Sequence, residues 1–211
     1  MYNIDIATIA IIAANVLVSM KGFSDTTFFE RYKFSIGAIK AGQKERMATS
    51  GFLHVDISHL LFNMLTLYFF ADVVIAWLGV TQFIIVYLVS LFGGSLLALY
   101  FHKDEPYYSA VGASGAVMGI VYSVVLLQPF SPFYGFIPAF VFGIGYLLYS
   151  IYGMKKRLGN IGHTAHFGGA IGGYVCTLIF MPSLLQTDTL MVGLLALPIV
   201  LLLVLEKMGK I

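Results

Sequence analysis

Hydrophobic and polar positions divide the chain into seven apolar runs, at residues 4–20, 60–79, 83–101, 114–127, 133–152, 167–181 and 190–205. Most approach the ~20 residues a helix needs to cross the hydrocarbon of a bilayer. None shows the period-two alternation of a membrane β-strand, and a helix is the element that satisfies its own backbone groups inside lipid. The pattern predicts an all-α, polytopic membrane helical bundle, with residues 1–211 forming a single membrane domain. The one long connection, 21–59, carries "FFERYKF" and "GQKERMATSGFLH". Its mixture of aromatic and charged residues suits a folded loop resting at the interface. Asp5 precedes the first run and no small-residue cleavage site follows it, so that run reads as a span rather than a signal peptide. No inverted repeat or low-complexity tract interrupts the order.

The fourth run is short. At ~1.5 Å per residue, 114–127 reaches roughly 21 Å, well below the ~30 Å hydrocarbon core. With one end at the surface near Gln128 and Pro129, the Ser114 end stops roughly 10 Å below the other face, and the stretch "SAVGASGAVMG" before and across it must dip into the membrane. Irregular backbone at that depth is tolerated where protein encloses it or where it lines a wet cavity. The first N–H groups of a helix have no intrahelical partner, and Gly112 and Gly115 let neighbouring groups come close. Such a site suits a developing negative charge.

Composition agrees with a membrane protein and removes other classes. Of 211 residues, 59% are hydrophobic and 10% charged, and the net charge is +2. Mean hydropathy is +0.91. No basic face with interleaved aromatics is present, which sets nucleic acid aside. Cys176, the single cysteine, lies in an apolar run and reads as a packed hydrophobe. The expected setting is an integral, multi-pass location in the cell membrane.

A serine hydroxyl needs a base to become a nucleophile. The five histidines supply candidates. His54, His59 and Asn63 lie in "FLHVDISHLLFN", with His59 and Asn63 one helical turn apart; His163 and His166 lie in "NIGHTAHFGGAIGGY". His102, in "HKDEPYY", reads as a solvated loop residue. Gly115 and Gly119 share the small-xxx-small spacing of Ala165, Gly169 and Gly173, which lets membrane helices pack closely. If those stripes face each other, Ser114 and His166 meet at one depth, while His163 lies a turn earlier, toward the loop. A metal site built on the histidines is the competing reading. No HExxH occurs, and no carboxylate sits within a helical turn of His163 or His166. No metal is expected.

"GASG" at 112–115, "FLH" at 52–54, His59-x-x-x-Asn63 and "AHFGG" at 165–169, in order on successive predicted helices, resemble the rhomboid intramembrane serine proteases over about residues 42–181. The resemblance implies a six-helix core over about 4–181, with 190–205 as an appended seventh helix. By it Ser114 is the nucleophile and His166 the general base. His59, Asn63 and backbone N–H groups around Gly112, Ala113 and Ser114 stabilise the oxyanion. His54 is structural, as are Gly115, Gly119, Gly169 and Gly173 near the site. Single-span membrane proteins in the lipid bilayer are the implied substrates, cleaved without metal or cofactor. An inactive, client-binding rhomboid-like protein is the alternative, though such a protein is expected to have lost Ser or His. Three positions depart from the family pattern: Glu45-Arg46 replaces a Trp-Arg pair, Ile75 an acidic residue, and Met118 an aromatic one turn after the nucleophile. All twelve Lys and Arg fall on the predicted active-site side, which by charge alone would face the cytoplasm; the resemblance implies the opposite face.

Overall fold

Two aspartates set where the first long helices begin. In the computed structural model, which describes residues 4–133, 135–158 and 162–211, α1 spans Ile6–Ser24 and α2 spans Ile57–Leu78. Asp5 accepts from the Ala7 N–H at 2.8 Å and Asp56 from the His59 N–H at 2.7 Å, each satisfying a donor that the helix start leaves open. The Asp56 cap starts α2 ahead of its apolar run and brings His59 into the first turn. Gly79, at φ 94°, turns the chain straight into α3, Val80–Phe101. Then come α4, Ser114–Leu127, α5, Ala139–Lys156, α6, His163–Phe180, and α7, Thr189–Lys207. By length and composition α1, α2, α3 and α7 can cross a membrane, and α4 is a shorter apolar helix.

The fifth run departs from expectation at its start. Residues 133–138 are not helical; β3, Pro132–Phe133, pairs with β4, Ile137–Pro138, in a small hairpin. Pro138 lacks the N–H that helix continuation needs and takes the N-cap position of α5 instead. The sixth run departs in the other direction. Its helix begins at His163, so His163 and His166 both lie in the first turn of α6.

The connection after α1 is folded. Short helical segments at Thr26–Tyr32, Ile36–Lys40 and Arg46–Thr49 surround β1, Phe34–Ser35, which pairs with β2, Ser109–Ala110, just ahead of α4. Arg46 is buried and holds this loop together: its guanidinium donates to the carbonyls of Glu30 and Lys33 at 2.8 and 2.9 Å and to Gln43 Oε1 at 2.8 Å. The arginine of the departing Glu45-Arg46 pair is thus the loop's organising residue.

Within the bundle α4 is the centre: every residue of it except Ser114 and Met118 is buried. Ile120 and Leu126 of α4 are fully buried, as are Phe83, Tyr87, Leu147 and Phe167 from other helices. Thr8, Asn15 and Ser19 of α1 face inward, where Asn15 Nδ2 donates to the Ile11 carbonyl and to Tyr87 Oη. Helix α7 contains Pro198 and lies against α5 and the core; Tyr122 of α4 and Tyr174 of α6 donate their hydroxyls to its Leu195 and Val192 carbonyls at 3.0 and 2.9 Å. Buried tyrosine hydroxyls need such acceptors.

Candidate active site

Ser114 opens α4 and His166 sits in the first turn of α6, and Ser114 Oγ lies 2.6 Å from His166 Nε2. Glycine makes that approach possible. A methyl group at Gly169 would collide with the Gly115 carbonyl, and one at Gly173 with the Gly119 carbonyl, so α4 and α6 meet backbone to backbone. Helix α3 joins them by the same means: a Cβ at Gly94 would stand 2.6 Å from the Ala165 carbonyl oxygen, and one at Gly172 would stand 2.9 Å from Ser90 Cα. The sequence stripe on α4 and α6 foretells two of the three partners. The third was signalled only by adjacent Gly93 and Gly94 inside an apolar run.

The other imidazole nitrogen is also engaged. His166 Nδ1 is 2.5 Å from the hydroxyl of Tyr146 on α5, a residue absent from the sequence-based candidates and marked off from Tyr149 and Tyr152 by no sequence signal. Tyr146 ends an aromatic series running from Phe70 of α2 through Phe133 (4.9 Å between centroids) to Phe142 (5.3 Å) and on to Tyr146, stacked at 5.9 Å.

On the opposite side of Ser114, Gly112 has φ 132°, and a Cβ built there would be 2.7 Å from His59 Cε1 and 3.7 Å from Ser114 Oγ. The His59 ring occupies the space that any side chain at 112 would need. His59 Nδ1 is buried with no hydrogen-bond partner among the described residues. Asn63, also buried, donates from Nδ2 to the His59 carbonyl at 2.9 Å, which uses one of the two hydrogens on that nitrogen.

The backbone N–H groups around Ser114 are unequally engaged. The Gly112 N–H is taken by the Ser50 carbonyl at 3.0 Å and the Ala113 N–H by His54 Nε2 at 3.4 Å. The N–H groups of Ser114, Gly115 and Ala116, the first of α4, have no partner among the described residues. Gly112 and Ala113 therefore shape the loop, and the open donors lie one to three residues further on.

His54 explains how that loop is held. Because Nε2 accepts from Ala113, the ring proton is on Nδ1, which donates to Ser19 Oγ at 2.9 Å; Ser19 in turn donates to the Phe52 carbonyl. His54 is fully buried, and burial, reinforced by neighbouring His59, pushes its pKa down to about 3. It links α1 to the loop that presents Ser114.

Two histidines differ from their expected settings. His102 is not a free loop residue: its ring stacks on Tyr108 at 3.7 Å, Nδ1 meets Glu105 at 3.2 Å and Nε2 meets Thr164 at 3.4 Å, joining the segment before α4 to the start of α6. His163 is buried against Gly153 and Tyr149 of α5, since glycine at 153 leaves room for an imidazole that the sequence spacing alone assigned to the loop. Among the described residues, no three His, Cys, Asp or Glu side chains are grouped to hold a metal ion.

A family model described as the rhomboid domain matches residues 41–183. The chain belongs to the rhomboid family. Relatives of this rhomboid include RHOMBOID-like protein 12, mitochondrial, of Arabidopsis thaliana, 29% identical over 74% of this chain and 52% of its own length. Rhomboid protease GluP of Bacillus subtilis is 32% identical over 64% of this chain and 26% of its own, and Rhomboid protein 1, mitochondrial, of Saccharomyces cerevisiae 30% identical over 59% and 38%. The chain spans about half or less of the length of these curated relatives. This rhomboid is a multi-pass membrane protein.

Proposed function

We propose that the chain is an intramembrane serine endopeptidase working through a Ser114–His166 dyad. The observation that carries the reading is the 2.6 Å Ser114 Oγ to His166 Nε2 contact at a helix start whose first N–H groups are open. Ser114 Oγ attacks a peptide carbonyl carbon while its proton passes to His166 Nε2. The oxyanion formed is held by the Ser114 N–H with His59 and Asn63. Collapse breaks the C–N bond, and His166 returns the proton to the departing amine. Water, deprotonated by His166, then hydrolyses the acyl ester and restores Ser114. A dyad without an acidic third member is a known variant of this arrangement.

The substrates in this reading are single-span membrane proteins reached within the bilayer. The architecture proposed is a six-helix core, α1 to α6, with α7 appended outside it. Location in the cell membrane belongs to the same proposal, and immunolocalisation separates it from the mitochondrial location that several relatives' names carry. Retention of both Ser114 and His166 favours the protease over a client-binding protein without activity. The test is labelling of the detergent-purified protein by a fluorophosphonate, which phosphonylates an activated serine and releases fluoride. The parent is expected to label and Ser114→Ala and His166→Ala are expected not to. A folded parent that resists the probe overturns the reading.

A further inference from the structure

We propose that Tyr146 is the positioning residue of the dyad, holding the His166 proton on Nδ1 so that Nε2 faces Ser114 as a free base. This rests on the Ser114–His166 reading. A neutral imidazole carries one proton, and its placement decides whether the ring can act. If the proton were on Nε2, the nitrogen 2.6 Å from Ser114 could only donate to the hydroxyl, and no base would face the nucleophile. The Tyr146 hydroxyl, 2.5 Å from Nδ1, is placed to accept from Nδ1–H, and with its own proton turned away from the ring it stabilises the competent tautomer. When the serine proton moves to Nε2 the ring becomes an imidazolium, and the same oxygen then faces a positive N–H, where its interaction is stronger.

The surroundings favour a phenol in this place. A carboxylate would bring a net charge into a bundle of apolar helices, at a desolvation cost that a neutral hydroxyl avoids. Tyr146 is half-buried and its ring is fixed by stacking on Phe142, one helical turn earlier. Met118, one turn after Ser114, offers neither an aromatic ring nor a hydroxyl. The ring contact and the polar contact to His166 both come from α5 instead.

Tyr146→Phe keeps the ring and removes only the hydroxyl. Fluorophosphonate labelling of this variant is expected to slow by about 10-fold to 10²-fold, within what a well-placed general base contributes. Its Tm is expected to match the parent. The acid limb of the labelling-rate profile is expected to move to lower pH, because the imidazolium has lost its acceptor, which a purely structural role would not produce. Long-range ¹⁵N–¹H correlation of histidine-labelled protein, with His166→Ala for assignment, is expected to show the Nδ1–H tautomer in the parent and loss of that preference in the variant. Should Tyr146→Phe fail to fold, 4-fluorophenylalanine at 146 fills nearly the same space with a non-titrating, far weaker acceptor and is expected to slow labelling to a similar extent. An unchanged rate and pH profile in either folded variant, or an Nε2–H tautomer in the parent, overturns the assignment to Tyr146 and leaves the dyad standing. A parent that does not label overturns the dyad and this role together.

Discussion

Helix α4 has two very different neighbours. Toward α6 the helices meet backbone on backbone at the glycines, with Gly169 and Gly173 set on the carbonyls of Gly115 and Gly119, and Ser123 and Thr177 hydrogen-bonded across the same seam. Toward α5 the contacts are made by side chains. Gly143 is met by Val125 and Tyr122 of α4 and by Leu195 of α7, and Gly145 faces open space. Backbone resting on glycine has no rotamers through which to adapt, whereas an interface of side chains can slide by repacking. The Ser114–His166 distance is built across the first kind of interface and the Tyr146–His166 contact across the second. Small displacements of α5 would therefore change how well the His166 ring is held while leaving Ser114 and His166 together.

The most damaging way to break this contrast is Gly169→Leu. It forces side-chain volume between two backbones, where the helices have no slack. Fluorophosphonate labelling is expected to vanish and the yield of monodisperse protein in detergent to collapse. A folded, fully active variant would show that the seam does not set the distance.

A smaller effect is expected from pH acting on the tie behind the same seam. His54 has a folded pKa of about 3 against an unfolded value of 6.5. The neutral ring's stabilisation is complete above about pH 6.5 and is lost as pH falls toward about 3, because the unfolded chain takes up a proton that the folded site refuses. Stability should fall by up to about 1.4 kcal/mol per pH unit within that window from this group. Tm between about pH 7.5 and about pH 5 is expected to drop in the parent and to be flatter in His54→Asn, whose side chain does not titrate. Equal slopes would remove His54 from the acid response.

The least effect is expected at Gly145→Ala on α5. With nothing within 4 Å of the added methyl, only helix propensity changes, worth about 0.5–1 kcal/mol in favour of alanine. Labelling rate should be unchanged and Tm equal or slightly higher. A loss as large as that of Gly169→Leu would erase the distinction between the two interfaces.

These contrasts were unequally legible in the sequence. Apolar runs give the helices because burying twenty residues in lipid leaves a strong compositional trace, and small-residue spacing relates α4 to α6 because missing volume is visible in one dimension. The start of α5 was misplaced since Phe133 and Phe136 read as helix until Pro138 is given its cap position. Hydrogen-bond partners were least legible. That Ser50 and His54 occupy the Gly112 and Ala113 N–H groups, or that Tyr146 rather than Tyr149 meets His166, depends on the rotation of helices and the course of a loop, which no periodicity encodes.

All of α4 except Ser114 and Met118 is buried within the protein, which leaves little of its surface to meet acyl chains. Hydrophobic mismatch therefore acts on the outer helices, which answer a thinner or thicker bilayer by tilting. Ser114 keeps its place within the bundle, since its depth relative to α6 is fixed by carbonyls resting on glycine. What bilayer thickness changes is how far a bound membrane segment must rise or sink to bring its peptide bond level with that serine. For the protease proposed above, lipid composition would then select among substrates without altering Ser114 or His166.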